Sequence, residues 1–164
     1  MVDEQRKPLS PSAYRIQETL FSLGLSCKVV EFQDSTRTSA EAGERVGCQI
    51  GQIVKSLIFR VSVSGKPVLV LTSGVNRVDE TLISRYVGES ISRADAEFAR
   101  TSTGYAIGGI PPVGHNRPLL TFLDEDLMQY SKVWAAAGTP NAVFETTPND
   151  LQIISGTTPV KVKV

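Results

Sequence analysis

The sequence predicts an α/β (mixed α+β) fold built on antiparallel strand pairs with helices between them, not a doubly wound sheet. Three observations carry this. Runs of two-residue alternation are interspersed with segments of 3.6-residue periodicity along the whole chain. Two of the links, Ser64-Gly65-Lys66 and Gly138-Thr139-Pro140-Asn141, are too short for a crossover and imply antiparallel pairs. Hydrophobic residues make up 41% and charged residues 21% of 164 residues, enough for one globular domain over 1–164 with a real core.

Taken in order, residues 1–10 are polar, lack the apolar stretch of a signal peptide and are expected to form a loose tail. Tyr14, Ile16, Leu20, Phe21 and Leu23 place a helical stripe over Ser12 to Leu23, stopped by Gly24. Cys27 to Phe32 is a short strand. Thr38-Ser39-Ala40-Glu41 is a capping box opening a helix to Val46, closed by Gly47. Gln52 to Val61 and Pro67 to Thr72 are strands joined by the 64–66 turn. Helices follow over Asp79 to Val87, with Asp79 favouring its start, and over Ala94 to Arg100. Tyr105 to Pro112 is expected to be an irregular loop after a short strand. Leu119 to Leu123 is a strand and Asp124 to Gln129 a short helix. Lys132 to Ala136 and Ala142 to Glu145 are strands around the 138–141 turn. Thr147-Pro148-Asn149-Asp150 starts a helix that ends near Gly156. Val160 to Val164 alternates as a final edge strand with its lysines outward.

Composition narrows the function classes. With 17 basic and 17 acidic residues the chain as a whole is no electrostatic magnet for nucleic acid. Arg85, Arg93, Arg100, Arg117 and Lys132 either form a local basic patch that faces nucleic acid or are ordinary solvated surface. Cys27 and Cys48 match no metal spacing, and with His115 as the lone histidine a Cys/His zinc site cannot be assembled, so no metal and no cofactor are expected. Two reduced thiols fit a cytoplasmic protein. No apolar run approaches the ~18 residues of a membrane span.

Two segments carry chemistry. In the strand Gln52 to Val61, alternation puts Ile53, Lys55, Leu57, Phe59, Val61 and Val63 on one face, apolar except for one ammonium, and Val54, Ser56, Ile58 and Arg60 on a mixed face. A lysine on a core-facing row costs desolvation energy unless something holds it. Two readings of Lys55 stand: a pocket lysine that meets an anionic or polar substrate group, or a strand-end lysine whose head reaches water. The second segment, Thr103 to His115, holds four glycines before its last Val113-Gly114-His115 step or within it, and two adjacent prolines. Glycines allow close backbone approach to a ligand, and such a loop can aim N–H groups at a carbonyl or phosphate. It is neither a dinucleotide fingerprint nor a P-loop, and a tight structural turn is the alternative. His115 is a candidate acid, base or donor, or an inert loop histidine.

Val54-Lys55-Ser56-Leu57-Ile58-Phe59, followed by Ser102-Thr103-Gly104-Tyr105-Ala106-Ile107-Gly108-Gly109-Ile110-Pro111-Pro112-Val113-Gly114-His115, resembles the YbaK/prolyl-tRNA synthetase-associated editing-domain family over nearly the whole chain. The resemblance implies a curved, largely antiparallel mixed sheet like a partial barrel, flanked by helices. It implies a free-standing aminoacyl-tRNA deacylase that hydrolyses the ester of a mischarged tRNA, tRNA-Pro carrying a small amino acid such as Ala. The implied partners are the tRNA acceptor end and prolyl-tRNA synthetase. The catalytic candidates are Lys55, Gly108 and Gly109. The substrate-contacting candidates are Ile53, Ser56, Leu57, Ile110, Pro112, His115, Ala136 and Val143. The family's cysteinyl-specific branch carries a Ser and an Asp where Ala136 and Val143 align, which argues against Cys-tRNA.

A pocket that accepts proline rejects a smaller residue weakly, since one methylene is worth only about 1–3 kcal/mol, so a second hydrolytic site for the smaller side chain solves a real problem. Gly108–Gly109 amides would stabilise the tetrahedral oxyanion, and Lys55 would anchor the 3′-terminal phosphate or position water. The competing expectations are a non-catalytic tRNA- or synthetase-binding module of the same fold and, more remotely, Schiff-base chemistry at Lys55.

Overall fold

The computed structural model of the chain describes residues 6–34, 36 and 38–164. In chain order the elements are β1 (Arg6–Lys7), α1 (Pro11–Ser22), β2 (Val29–Phe32), α2 (Ser39–Val46), β3 (Ile53–Val61), β4 (Pro67–Ser73), α3 (Glu80–Val87), β5 (Ile91–Arg93), α4 (Ala96–Thr103), β6 (Leu120–Asp124), β7 (Val133–Ala136), β8 (Ala142–Thr146), α5 (Pro148–Ser155) and β9 (Pro159–Val160). Short 3-10 turns at Ile50–Gln52 and Glu125–Gln129 precede β3 and follow β6. The strands form one open sheet in the order β1-β2-β8-β7-β3-β4-β6-β9, with β5 attached to β3. Both expected hairpins are present: β3 with β4 and β7 with β8 are antiparallel. The sheet is mixed because β3–β7, β4–β6 and β6–β9 run parallel.

Local chemistry sets the helix starts. Side chains of Ser10, Thr38, Asp79, Asp95 and Thr147 accept the N–H of the residue three further on, satisfying an amide that has no partner inside its helix. Packing sets the rest. β4 is buried at every position, because Leu69 and Leu71 enter the larger core while Val68 and Val70 enter a smaller one on the opposite face.

Several expectations need correction. β3 is covered on both faces, not one: Val54 and Ile58 lie in the larger core, Phe59 and Val61 in the smaller. Within the expected loose tail, Arg6 and Lys7 pair with β2, Leu9 packs on the core, and Ser10 donates its N–H to Glu31 at 2.7 Å. A polar tail is recruited here because Glu31, 1% exposed, needs donors. Residues 1–5 lie outside the described set. No strand precedes the glycine loop; α4 runs to Thr103, whose hydroxyl donates to Ala99 O at 2.7 Å. The strand Ile91–Arg93 had no distinct sequence signal. The expected final strand is reduced to Pro159–Val160 and one bridge between Val78 and Lys163, though Val162 is fully buried between exposed Lys161 and partly exposed Lys163.

Candidate functional site

The sheet has a gap. One edge of β3 pairs with β4 from Val54 to Arg60. The other edge pairs with β7 at Ile53 and Val54, then with β5 at Phe59 to Val61. Among the described residues, 55–57 have no strand partner on that second edge. Gly74 N–H bonds Ile53 O (2.7 Å) and Val61 N–H bonds Lys66 O (2.9 Å), so odd residues of β3 turn their main-chain groups toward β4. Ser56 therefore presents its N–H and C=O to the gap. The Ser56 hydroxyl is also buried without a partner among the described residues.

A cavity of about 330 Å³ opens at this gap. Lys55, Ser56 and Leu57 line it with Ile53 and Val54. Ile107, Gly108 and Ile110 close it from the glycine loop; Trp134, Ala135 and Ala136 of β7, and Ala142 and Val143 of β8, form an apolar wall. Ser39 and Ala42 reach it from α2, and Thr36 and Thr38 from the segment just before that helix. Lys55 is the single charged side chain among these lining residues. Its Nζ donates to the Asn76 carbonyl at 2.7 Å, part-buried. Burial lowers its pKa from the usual lysine value, nearby Arg93 adds to this, and Asp124 opposes it.

The cavity thus brings together Lys55, Gly108, Ile53, Ser56, Leu57, Ile110, Ala136 and Val143. Three candidates stand apart from it. The Gly109 N–H is used on Ala106 O at 3.0 Å and its carbonyl accepts Gly138 N–H at 2.9 Å, so this residue seats the loop and its amide is not free for an oxyanion. A Cβ there would fall 2.7 Å from the Thr139 carbonyl carbon, so only glycine fits. Pro112 is buried behind the loop. His115 places Nε2 2.7 Å from Pro111 O, which requires the Nε2–H tautomer, and burial lowers its pKa. It fastens the loop to itself and does not face the cavity. Gly108, at φ 92°, has no hydrogen bond on its N–H among the described residues.

Sequence reading missed Thr36, Thr38, Ser39, Ile107, Trp134 and Pro140. Their signal is a long-range contact that no local pattern encodes. It also missed Asn76, which meets Lys55 through a main-chain carbonyl common to every residue. No group of three or more His, Cys, Asp or Glu among the described residues is arranged to hold a metal. Cys27 is buried, Cys48 is partly exposed, and both are free. No helix among the described residues is long and apolar enough to cross a membrane.

An open mixed sheet, with a strand lysine and a glycine loop lining one small, mostly apolar cavity, is the arrangement of an aminoacyl-tRNA hydrolase of the editing class. The chain belongs to the aminoacyl-tRNA editing domain family, which it matches over residues 33–154. Among solved structures it is similar to "Crystal structure of a putative trans-editing enzyme for prolyl tRNA synthetase", at TM-score 0.89 and 49% identity over 96% of this chain and 99% of that one. Among curated proteins it is 29% identical over 127 residues to "Uncharacterized protein YwhH" of Bacillus subtilis, covering 77% of this chain and 80% of the relative. It is also 29% identical over 112 residues to "Putative Cys-tRNA(Pro)/Cys-tRNA(Cys) deacylase EbsC" of Enterococcus faecalis, covering 67% and 68%.

Proposed function

We propose that this protein is a free-standing trans-editing enzyme that hydrolyses the ester of tRNA-Pro carrying a small amino acid such as alanine. The observation that carries the reading is the cavity of about 330 Å³, walled by Ala135, Ala136, Ala142 and Val143 and lined also by Lys55 and by Gly108, whose N–H has no hydrogen bond among the described residues. Such a volume suits an aminoacyl group, and Ala135, Ala136, Ala142 and Val143 present only aliphatic side chains to it. The similarity to the solved structure described above supports a link to prolyl-tRNA synthetase, and we place the activity in the cytoplasm, where aminoacyl-tRNA is consumed.

In this reading the Gly108 N–H donates to the developing oxyanion as water adds to the ester carbonyl. The bond from the acyl carbon to the ribose oxygen then breaks, giving a free amino acid and a terminal hydroxyl on the tRNA. Lys55 supplies positive charge to the 3′-terminal phosphate and to the reacting ester. In this reading the ribose hydroxyl next to the ester orients the water, since His115 is half-buried and engaged with Pro111 O. The test is a panel of Ala-, Cys-, Ser- and Thr-charged tRNA-Pro with wild type and Lys55→Ala. Ala-tRNA-Pro is expected to be deacylated fastest by wild type; equal rates for both proteins would remove Lys55 from the mechanism. Binding of the panel without turnover would return the non-catalytic alternative.

A further inference from the structure

We propose that Asn76 is the positioning residue of Lys55, held in place by the buried carboxylate of Asp124; this rests on the reading of Lys55 given above. The Asn76 carbonyl accepts the Lys55 ammonium at 2.7 Å. Its side-chain Nδ2 donates to Asp124 Oδ2 and to Asp126 Oδ2, each at 2.8 Å. Asp124 is 1% exposed, and its Oδ2 also accepts the Thr72 hydroxyl at 3.0 Å and the Ser73 N–H at 2.9 Å. Thr72 is the β4 residue directly opposite Lys55. One carboxylate therefore fixes both the strand position facing the lysine and the residue that receives its head.

The clamp continues outward. Asp124 Oδ1 accepts the Asp126 N–H at 2.9 Å, and Asp126 pairs with Lys163 at 2.8 Å. Beyond Asn76, Arg77 O accepts Val164 N–H at 3.0 Å and Asp79 N–H donates to Val162 O at 2.8 Å. The segment between β4 and α3 is thus pinned from β6 and from the C-terminal residues. A lysine head on a flexible four-carbon stem has many rotamers open to it, and a fixed acceptor selects among them. The charged groups acting on that head are Arg93 and Asp124.

The direct test is an NMR titration of side-chain-labelled lysine, with Lys55 assigned by Lys55→Arg, on wild type, Asn76→Ala and Glu97→Gln. In Asn76→Ala the freed head moves toward water, so its midpoint rises toward the ordinary lysine value, and kcat for the aminoacyl ester falls roughly 10–100-fold with KM nearly constant. Glu97→Gln, an exposed position outside the clamp, leaves both readouts at wild type. Should Asn76→Ala fold poorly, Asn76→Ser gives the same direction. A Lys55 midpoint that is unchanged or lower in the Asn76 variants overturns the proposal. Full deacylation by Lys55→Ala would sink the catalytic reading of Lys55 alone, because the titration still reports whether Asn76 holds it.

Discussion

Gly109 lies directly on the backbone of Thr139: a Cβ at Gly109 would stand 2.7 Å from the Thr139 carbonyl carbon and 2.8 Å from its Cα. Backbone cannot rotate away as a side-chain end can. Gly109→Ala is therefore expected to cost about 1–3 kcal/mol, as overpacking does, read by urea denaturation. A loss below measurement error would mean that the loop is not seated on the β7–β8 turn.

Gly108 separates loop seating from amide function. Its φ of 92° disfavours any L side chain, but a Cβ there meets only Pro140 Cβ at 4.0 Å. Gly24, at φ 78° with nothing within 4 Å, has the same kind of strain far from the cavity. Both alanine variants should lose about 1–2 kcal/mol of stability. Only Gly108→Ala should also lower kcat for an aminoacyl ester. Equal kinetics in the two would exclude Gly108 N–H as the oxyanion donor.

For Lys55, substitution by alanine is expected to lower kcat/KM by about 10²–10³-fold, the range for loss of one preorganised electrostatic group. Lys55→Arg should not restore it, since a planar guanidinium cannot occupy the point-charge geometry at Asn76 O. Single-turnover deacylation gives the measurement, and restoration by arginine would show that charge alone suffices.

The wall of the cavity makes a selectivity prediction. Ala136 lines it and pairs with Val143 across β7–β8. Ala136→Leu shrinks the space, so hydrolysis of Thr-charged tRNA should fall more than that of Ala-charged tRNA, by about tenfold or more. Parallel rate losses for both substrates would place the amino acid elsewhere.

Acid stability follows from two groups, buried Glu31 and half-buried His115. Burial by itself would raise the Glu31 carboxyl, but hydrogen bonds from Ser10 N–H, Thr139 and Ser10 hydroxyl, with the Lys7 charge, hold it below its ordinary 4.5. Its contribution is present above the unfolded value and is lost as pH falls through the folded one. Burial lowers His115 below 6.5, so the unfolded chain takes up that proton first, and stability begins to fall as pH drops below the unfolded value. Urea titrations from about pH 7 to 3 should show both losses. Glu31→Gln should remove the lower and His115→Gln the upper; a wild-type slope in either variant would assign it to other groups.

Much of the fold was legible because its signals are local. Thr38, Asp79 and Thr147 announce helix starts through side chains that bond an amide three residues on. The 64–66 and 138–141 turns dictate antiparallel pairing by length alone. Lys55 stood out for the same reason, as a charge in an apolar alternating row. Its role as a cavity residue was not decidable there, since a strand pattern does not say which edge is left unpaired.

By itself the sequence determined the helix caps, the hairpins, the family likeness and the anomalous lysine, because these are written in neighbouring residues. Only the tertiary structure decided that β7 and β5 share one edge of β3 and leave 55–57 open between them. Only it decided that Gly109 spends its amide on the loop while Gly108 does not, and that a carboxylate from β6 governs where the Lys55 head rests. The strand pairings and the Asp124–Asn76–Lys55 contacts span more than twenty residues of chain, and all are set by how the whole sheet packs and by which buried polar groups must find partners.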